Sequence, residues 1–209
     1  MTKVRNKKLK ESSKKWLRRQ MNDQYVEKAK KAGYRSRAAY KILEIQQKFK
    51  IFDQHSIVLD LGAAPGGWSQ VVANIAKKVI AIDLLDMTPL PNVQFIRGDF
   101  AEERNMQMLI QLLGNEKADA VLSDMAPNTC GIKKIDHLRI INLLEDVYNF
   151  SIKILKPGGS LVAKVFQGGA TNDLLRNLKQ SFAKVGHFKP LSSRKESPEM
   201  YLIARGYRN

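Results

Sequence analysis

Short apolar runs alternate with amphipathic stretches along most of this chain. The runs at 56–61, 78–83, 92–96, 118–124, 160–166 and 200–205 are rich in Val, Ile and Leu and bounded by turn residues, which predicts strands. A further short strand is expected near 186–190. The segments 67–76, 101–113, 137–155 and 172–184 carry apolar residues at helical spacing. Pro89 and Pro91, Gly114-Asn115, Pro157-Gly158-Gly159 and Gly168-Gly169 mark the turns between them. Such alternation predicts an α/β fold with a mostly parallel seven-stranded sheet and helices on both faces. The last strand follows a helix and a hairpin-like segment, so it is expected to run antiparallel. Upstream, Asn22 or Asp23 caps a helix over 22–32, and Ser36 caps one reaching about Gln47, with Ala39, Ile42 and Leu43 on its apolar face. Residues 1–15 show no such pattern and are expected to be disordered.

Length and charge divide this picture in two. At 209 residues and 44% hydrophobic, the chain suits one full-sized domain with an appendage. Residues 1–41 hold 15 Lys+Arg against 3 Asp+Glu, so they carry +12 of the net +16. The reading is a basic arm over 1–35 and a folded domain over 36–209. A polyanion is the natural partner of the arm, and Trp16, Tyr25, Tyr34 and Tyr40 among the cations suit stacking on bases. No apolar run approaches the about 18 residues of a membrane span. The Lys-rich start lacks the apolar core of a secretory signal. With one cysteine, Cys130, and scattered histidines, neither a disulfide framework nor a metal site is expected. A monomer in a reducing cytoplasm fits this usage.

The stretch IVLDLGAAPGGW at 57–68 narrows the chemistry. A strand runs into a turn of small residues, including Gly62 and Gly66, and a helix opens at Trp68. That is how an α/β fold builds a nucleotide-type pocket. The dinucleotide pattern G-x-G-x-x-G is absent, and Pro65 removes a backbone N–H that could have bound a pyrophosphate. A ligand without a phosphate tail, S-adenosylmethionine (SAM), fits better. Asp83 closes the second strand, where a carboxylate meets ribose hydroxyls. Asp99 follows the third and could accept the adenine amino group, with Phe100 packing nearby. Asp60 and Asp124 close the first and fourth. Four acids at one edge of a parallel sheet mark the ligand side, although any single one could be a helix cap. Trp68 either closes the pocket or belongs to the core.

The acceptor is read from strands four and five. SDMAP at 123–127 lacks the aromatic residue that grips an amine in amino-group methylation. Cys130 lies in the same loop and would be the nucleophile for methylation of a pyrimidine ring, but Asn128 stands directly after Pro127. Oxygen methylation remains. Lys164 interrupts the apolar run LVAKVF, where a buried charge is costly. Desolvation and neighbouring cations would push its pKa down and make it a base, oriented by Asp124. A structural Lys–Asp pair is the alternative.

These motifs, with RSRAAYK at 35–41 and SPEMYLIA at 197–204, resemble the FtsJ/RrmJ family of large-subunit ribosomal RNA 2′-O-ribose methyltransferases over about 16–206. The resemblance implies a Rossmann-like SAM-dependent methyltransferase fold and a Lys-Asp-Lys-Glu tetrad at Lys41, Asp124, Lys164 and Glu199. It implies Lys164 as base, and cofactor contacts at Gly66, Trp68, Asp83, Asp99 and Asp124, with Gly62 in the same turn. It places Tyr201 on the strand face of Glu199, within reach of substrate. The implied substrate is a uridine in 23S-type ribosomal RNA, within the assembled large subunit. Two departures are modest: Ala39-Tyr40 replaces a bulkier aromatic pair, and Pro198 precedes Glu199. Lys41 and Glu199 come from the resemblance alone. A small-molecule O-methyltransferase and a non-catalytic rRNA-binding assembly factor remain the alternatives.

Overall fold

The structure is a computed structural model that describes residues 21, 23–127, 131–166 and 171–209. Cys130, Trp16 and the Gly168-Gly169 turn lie outside the described residues. The strands are β1 (Ile57–Leu61), β2 (Lys78–Asp83), β3 (Val93–Arg97), β4 (Ala118–Ser123), β5 (Leu155–Phe166), β6 (Phe182–Phe188) and β7 (Glu199–Tyr207). They form one sheet in the order β3-β2-β1-β4-β5-β7-β6. The β3 to β5 portion is parallel, and β7 runs antiparallel to both β5 and β6. Strand order reverses between β1 and β4, so the carboxyl edge opens there into a crevice where ligands of such sheets bind.

Six helices are described: α1 (Gln24–Lys31), α2 (Ala39–Phe49), α3 (Gly67–Ala73), α4 (Glu103–Leu113), α5 (Lys133–Ile154) and α6 (Asn172–Ser181). Side chains alternate across each strand, so one strand feeds two cores. Leu59 and Leu61 pack with Leu109, Leu144 and Leu178 under α4, α5 and α6. Val58 packs with Ile42, Ile45, Trp68 and Val72 under α2 and α3. Each fully buried Leu or Ile contributes about 1.5–3 kcal/mol relative to exposure.

Three sequence expectations shift. The helix expected over 172–184 ends at Ser181, and Phe182 opens β6 instead of continuing the helix. Phe182 is buried and pairs with Tyr207 of β7, so an edge strand takes it; the rest of β6 is largely exposed, which blurred its strand pattern. Ser36 caps a turn before α2 through Ala38 N, and α2 itself has no side-chain cap at Ala38. Residues 23–35, read as part of a separate arm, are stitched to the sheet domain. Gln70 of α3 accepts from Arg35 N at 2.9 Å and donates to Gly33 O at 2.8 Å, and Asp23 pairs with Arg37 and Arg194.

Candidate active site

The crevice at the carboxyl edge is a cavity of about 520 Å³, ordinary for a small-molecule site. Asp83, Asp99 and Asp124 line it from the ends of β2, β3 and β4. Gly62 lines it after β1; it has φ +81, and a Cβ there would collide with Met125. Glycine is therefore required both for the backbone turn and for the approach of the 125–127 loop. Phe100 and Leu84 add apolar wall, and the far side is α5 through Arg139, Asn142 and Asp146. The α5 contribution was not read from sequence; its signal was three polar residues on one face of a long helix.

Asp83 and Asp99 also order the cavity's loops. Asp83 accepts from Ala64 N at 2.9 Å and from Leu85 N at 2.8 Å, and Asp99 accepts from Ala101 N at 2.9 Å. Each carboxylate keeps lone pairs for a ligand. The donor set fits SAM: carboxylates for ribose hydroxyls and an adenine amine, and apolar wall for the ring.

Gly66 and Trp68, expected against the cofactor, do not line this cavity. A Cβ on Gly66 would meet Arg35 and Met87. Arg35 reaches the same turn from outside, donating to Thr88 O at 2.5 Å and to Pro89 O at 2.8 Å. Trp68 is buried in the α2–α3 core, where its Nε1 donates to Ala38 O at 2.9 Å and its ring lies 5.4 Å from that of Tyr201. Its bulk holds α2, and hence Lys41, against the sheet.

Asp124 lines the cavity, and the four tetrad residues meet around it. Lys164 Nζ lies 2.9 Å from Asp124 Oδ1 and also donates to Asp124 O. Lys41 Nζ lies 2.8 Å from Glu199 Oε1 and 3.8 Å from Asp124 Oδ1. Tyr201 stands between them: its hydroxyl donates to Asp124 Oδ1 at 2.7 Å and accepts from Lys41 Nζ at 3.0 Å. Strand pairing explains the assembly. Lys164 of β5 lies opposite Tyr201 of β7, and Phe166 lies opposite Glu199. Glu199 and Tyr201 thus share one face. Tyr201 is expected near substrate by the resemblance; here it is fully buried and links Lys41 to Asp124. Ser193 Oγ, which the sequence did not flag, donates to Glu199 Oε1 at 3.1 Å.

The electrostatics follow from this packing. Burial alone would raise the Asp124 carboxyl, but Lys164, Lys41 and the Tyr201 hydroxyl hold it below its ordinary value. Burial first, then the Asp124 charge, pushes the Tyr201 phenol well above 10, so it stays protonated. Two lysines balance two carboxylates in a site largely closed to water. Asp60 differs. It projects on the α3 side of β1 and accepts from Ser69 Oγ at 2.6 Å, while its Oδ1 has no partner. Burial, with Asp124 and Asp83 adding like charge, pushes it up to about 7.

A cofactor-sized crevice at the strand-order reversal, rimmed by carboxylates and walled by an Asp124 that a largely covered Lys164 pairs with, defines the class: a methyltransferase of the Rossmann-like, SAM-dependent type. The model of the FtsJ-like methyltransferases matches residues 34–207, and this chain belongs to that family. It is 53% identical over 201 residues to the "Ribosomal RNA large subunit methyltransferase E" of Rickettsia bellii, covering 92% of this chain and 88% of that one. The same-named protein of Rickettsia felis is 52% identical with the same coverage. Among solved structures, a provisionally assigned ribosomal RNA methyltransferase of Plasmodium falciparum superposes with a TM-score of 0.74 at 34% identity, covering 83% of this chain and 98% of that one. A provisionally assigned methyltransferase of Streptococcus mutans in complex with SAH shares the fold, with a TM-score of 0.50 at 18% identity and coverage of 81% and 95%.

Proposed function

We propose that this protein transfers the methyl group of SAM to the 2′-oxygen of a uridine ribose in large-subunit ribosomal RNA, within the assembled subunit. The observation that carries this reading is the position of Lys164: its Nζ is held 2.9 Å from Asp124, a residue that also walls the cavity. When bound, SAM supplies an electrophilic methyl on a sulfonium sulfur. Lys164 Nζ is the group placed to take the proton that the ribose hydroxyl would lose on methylation. Asp124 fixes the amine in place, Tyr201 holds Asp124, and the Lys41–Glu199 pair balances charge beside them. A ribose hydroxyl is a very weak acid, so alignment and a placed base together lower the barrier. The target is an unpaired nucleotide in a loop, because a recessed site needs a ribose free to turn out of the strand, and sequence-specific RNA recognition favours such splayed nucleotides. The basic segment 1–41 supports an RNA acceptor over a small molecule.

The test is transfer of tritium from labelled SAM to large ribosomal subunits isolated from cells lacking this protein. We expect label at one uridine 2′-oxygen, in assembled subunits and not in free RNA. Label on a base, or on a small phenol and not on RNA, overturns the reading.

A further inference from the structure

A second charged cluster lies outside the catalytic crevice, where α1 and the start of α2 meet the loop before β7. Asp23 is its centre. Its Oδ1 accepts from Tyr25 N at 3.0 Å, capping α1, and its Oδ2 pairs with Arg37 Nη1 and with Arg194 Nε, the latter at 3.1 Å. Arg37 Nη2 also donates to Ser192 O. Two guanidinium groups therefore share one carboxylate, and their hydrogen-bonding capacity is not filled. Among the described residues, Arg37 Nε, Arg194 Nη2 and Ser192 Oγ are buried without a partner. A cleft of about 350 Å³ opens beside them, lined by Arg37, Ser192, Arg194, Lys195 and, on the acidic side, Asp23 and Glu196. The three cations exceed the two acids by one charge.

A surplus positive charge beside unfilled donors, half withdrawn from water, is a site for an oxyanion. Arginine presents a planar fork that suits phosphate oxygens. The cluster is also tied to the catalytic centre at two points. Arg37 lies in the turn that leads into α2, which carries Lys41, and the loop carrying Arg194 holds Ser193 on Glu199 at 3.1 Å. Glu44 of α2 anchors the same loop by accepting from Leu191 N at 2.5 Å and Ser192 N at 2.9 Å.

We propose that the Arg37–Arg194 cleft binds a backbone phosphate of the RNA strand that carries the target ribose. The inference rests on the RNA acceptor proposed above and adds a named contact to it. A phosphate seated here touches the loop that positions Glu199, so it registers the strand against the tetrad. Phosphate contacts position a nucleic acid without reading its sequence.

Two measurements on the full chain test it, using Arg194→Gln and Arg194→Lys. Arg194→Gln leaves Asp23 paired with Arg37, and retained SAH binding by calorimetry shows that the fold survives. The first compares melting in inorganic phosphate and in chloride at equal ionic strength. Phosphate is expected to raise the midpoint of the native protein and of Arg194→Lys, and not that of Arg194→Gln. The second is the salt dependence of affinity for large-subunit ribosomal RNA. Arg194→Gln is expected to bind about fivefold more weakly at 0.1 M salt, with the slope of log K against log salt flattened by about 0.7–0.9. An equal phosphate shift in native and Arg194→Gln proteins overturns the proposal and leaves the cluster a structural clamp. A lost phosphate shift with an unchanged RNA slope also overturns it, since the anion is then not the RNA strand. The phosphate measurement needs no RNA, so failure of the RNA reading and failure of this site are distinguishable.

Discussion

The two edges of the sheet carry cavities of similar size and opposite character. The amino edge has the larger one, about 660 Å³ against about 520 Å³ at the carboxyl edge. Its two carboxylates, Asp53 and Asp119, are committed to holding the chain. Asp119 accepts from Ile57 N at 2.8 Å and pairs with the half-exposed Lys156. Asp53 closes a turn through Ser56 Oγ and His55 N, and those hydrogen bonds lower its pKa. At the carboxyl edge, carboxylates and lysines are crowded together under cover. Asp124 is kept ionised by two lysines, and a few ångströms of backbone away Asp60 is driven up to about 7. Volume does not separate the edges; the use of charge does. Pairing that holds a turn in water has a structural purpose, whereas buried charge held in tension marks a site where protonation is put to work.

Lys164→Ala should break this contrast most severely. It removes the proposed proton acceptor and leaves the Asp83 and Asp99 walls intact, so SAH affinity should be kept while methyl transfer falls by about 10²–10⁴-fold. Single-turnover transfer to large subunits, paired with calorimetry of SAH binding, reads both. Transfer within threefold of the native rate would reduce the Lys164–Asp124 pair to a structural one and erase the difference between the edges.

Asp60 sharpens the contrast through pH. Its carboxyl ionises near 3.8 in the unfolded chain and at about 7 in the fold. Below pH 4 it is protonated in both states and has no effect. Between about pH 4 and 7 the unfolded chain releases a proton that the folded protein keeps, so stability falls as pH rises. The loss is at most about 1.4 kcal/mol per pH unit, and it persists above pH 7. Asp60→Asn removes the titration and keeps an acceptor for Ser69. Urea midpoints of the variant should gain on those of the native protein from pH 5 to about 7, with the difference levelling off above that. Parallel pH profiles for the two proteins would show that Asp60 does not titrate in this window.

Much of this was legible in the sequence because it is local. Strand-ending acids identified Asp83, Asp99 and Asp124 on one edge, and Lys164 stood out as a charge between Val162, Ala163, Val165 and Phe166. Lys41 and Glu199 carry no such mark. Lys41 reads as one more cation in a basic helix, and only the packing of α2 brings it within 3.0 Å of Tyr201, 160 residues away. Glu199 reaches the site because β7 pairs antiparallel with β5, a long-range register that no local pattern reports. Trp68 was open to two readings, pocket or core. Its place beside the glycine turn suggested ligand contact, but the first turn of α3 directs its indole into the core. Charge alone set residues 1–35 apart as a basic arm, whereas Arg35 N donates to Gln70 and Gln70 donates to Gly33 O, which binds the last part of that segment to α3.

The smallest effect is expected at the amino edge. Lys156 pairs with Asp119, but its side chain is 50% exposed, and the partner keeps the Ile57 N–H when the lysine is lost. An exposed pair of this kind is worth about 0–1 kcal/mol, screened further by salt. Lys156→Ala should therefore shift the urea midpoint by no more than about 0.5 kcal/mol equivalent and leave methyl transfer at the native rate. The larger cavity is the natural place to look for a ligand on size alone. A change in transfer rate of tenfold or more in this variant would show that the amino edge takes part in the reaction, and that charge under cover is not what distinguishes the working edge of this sheet.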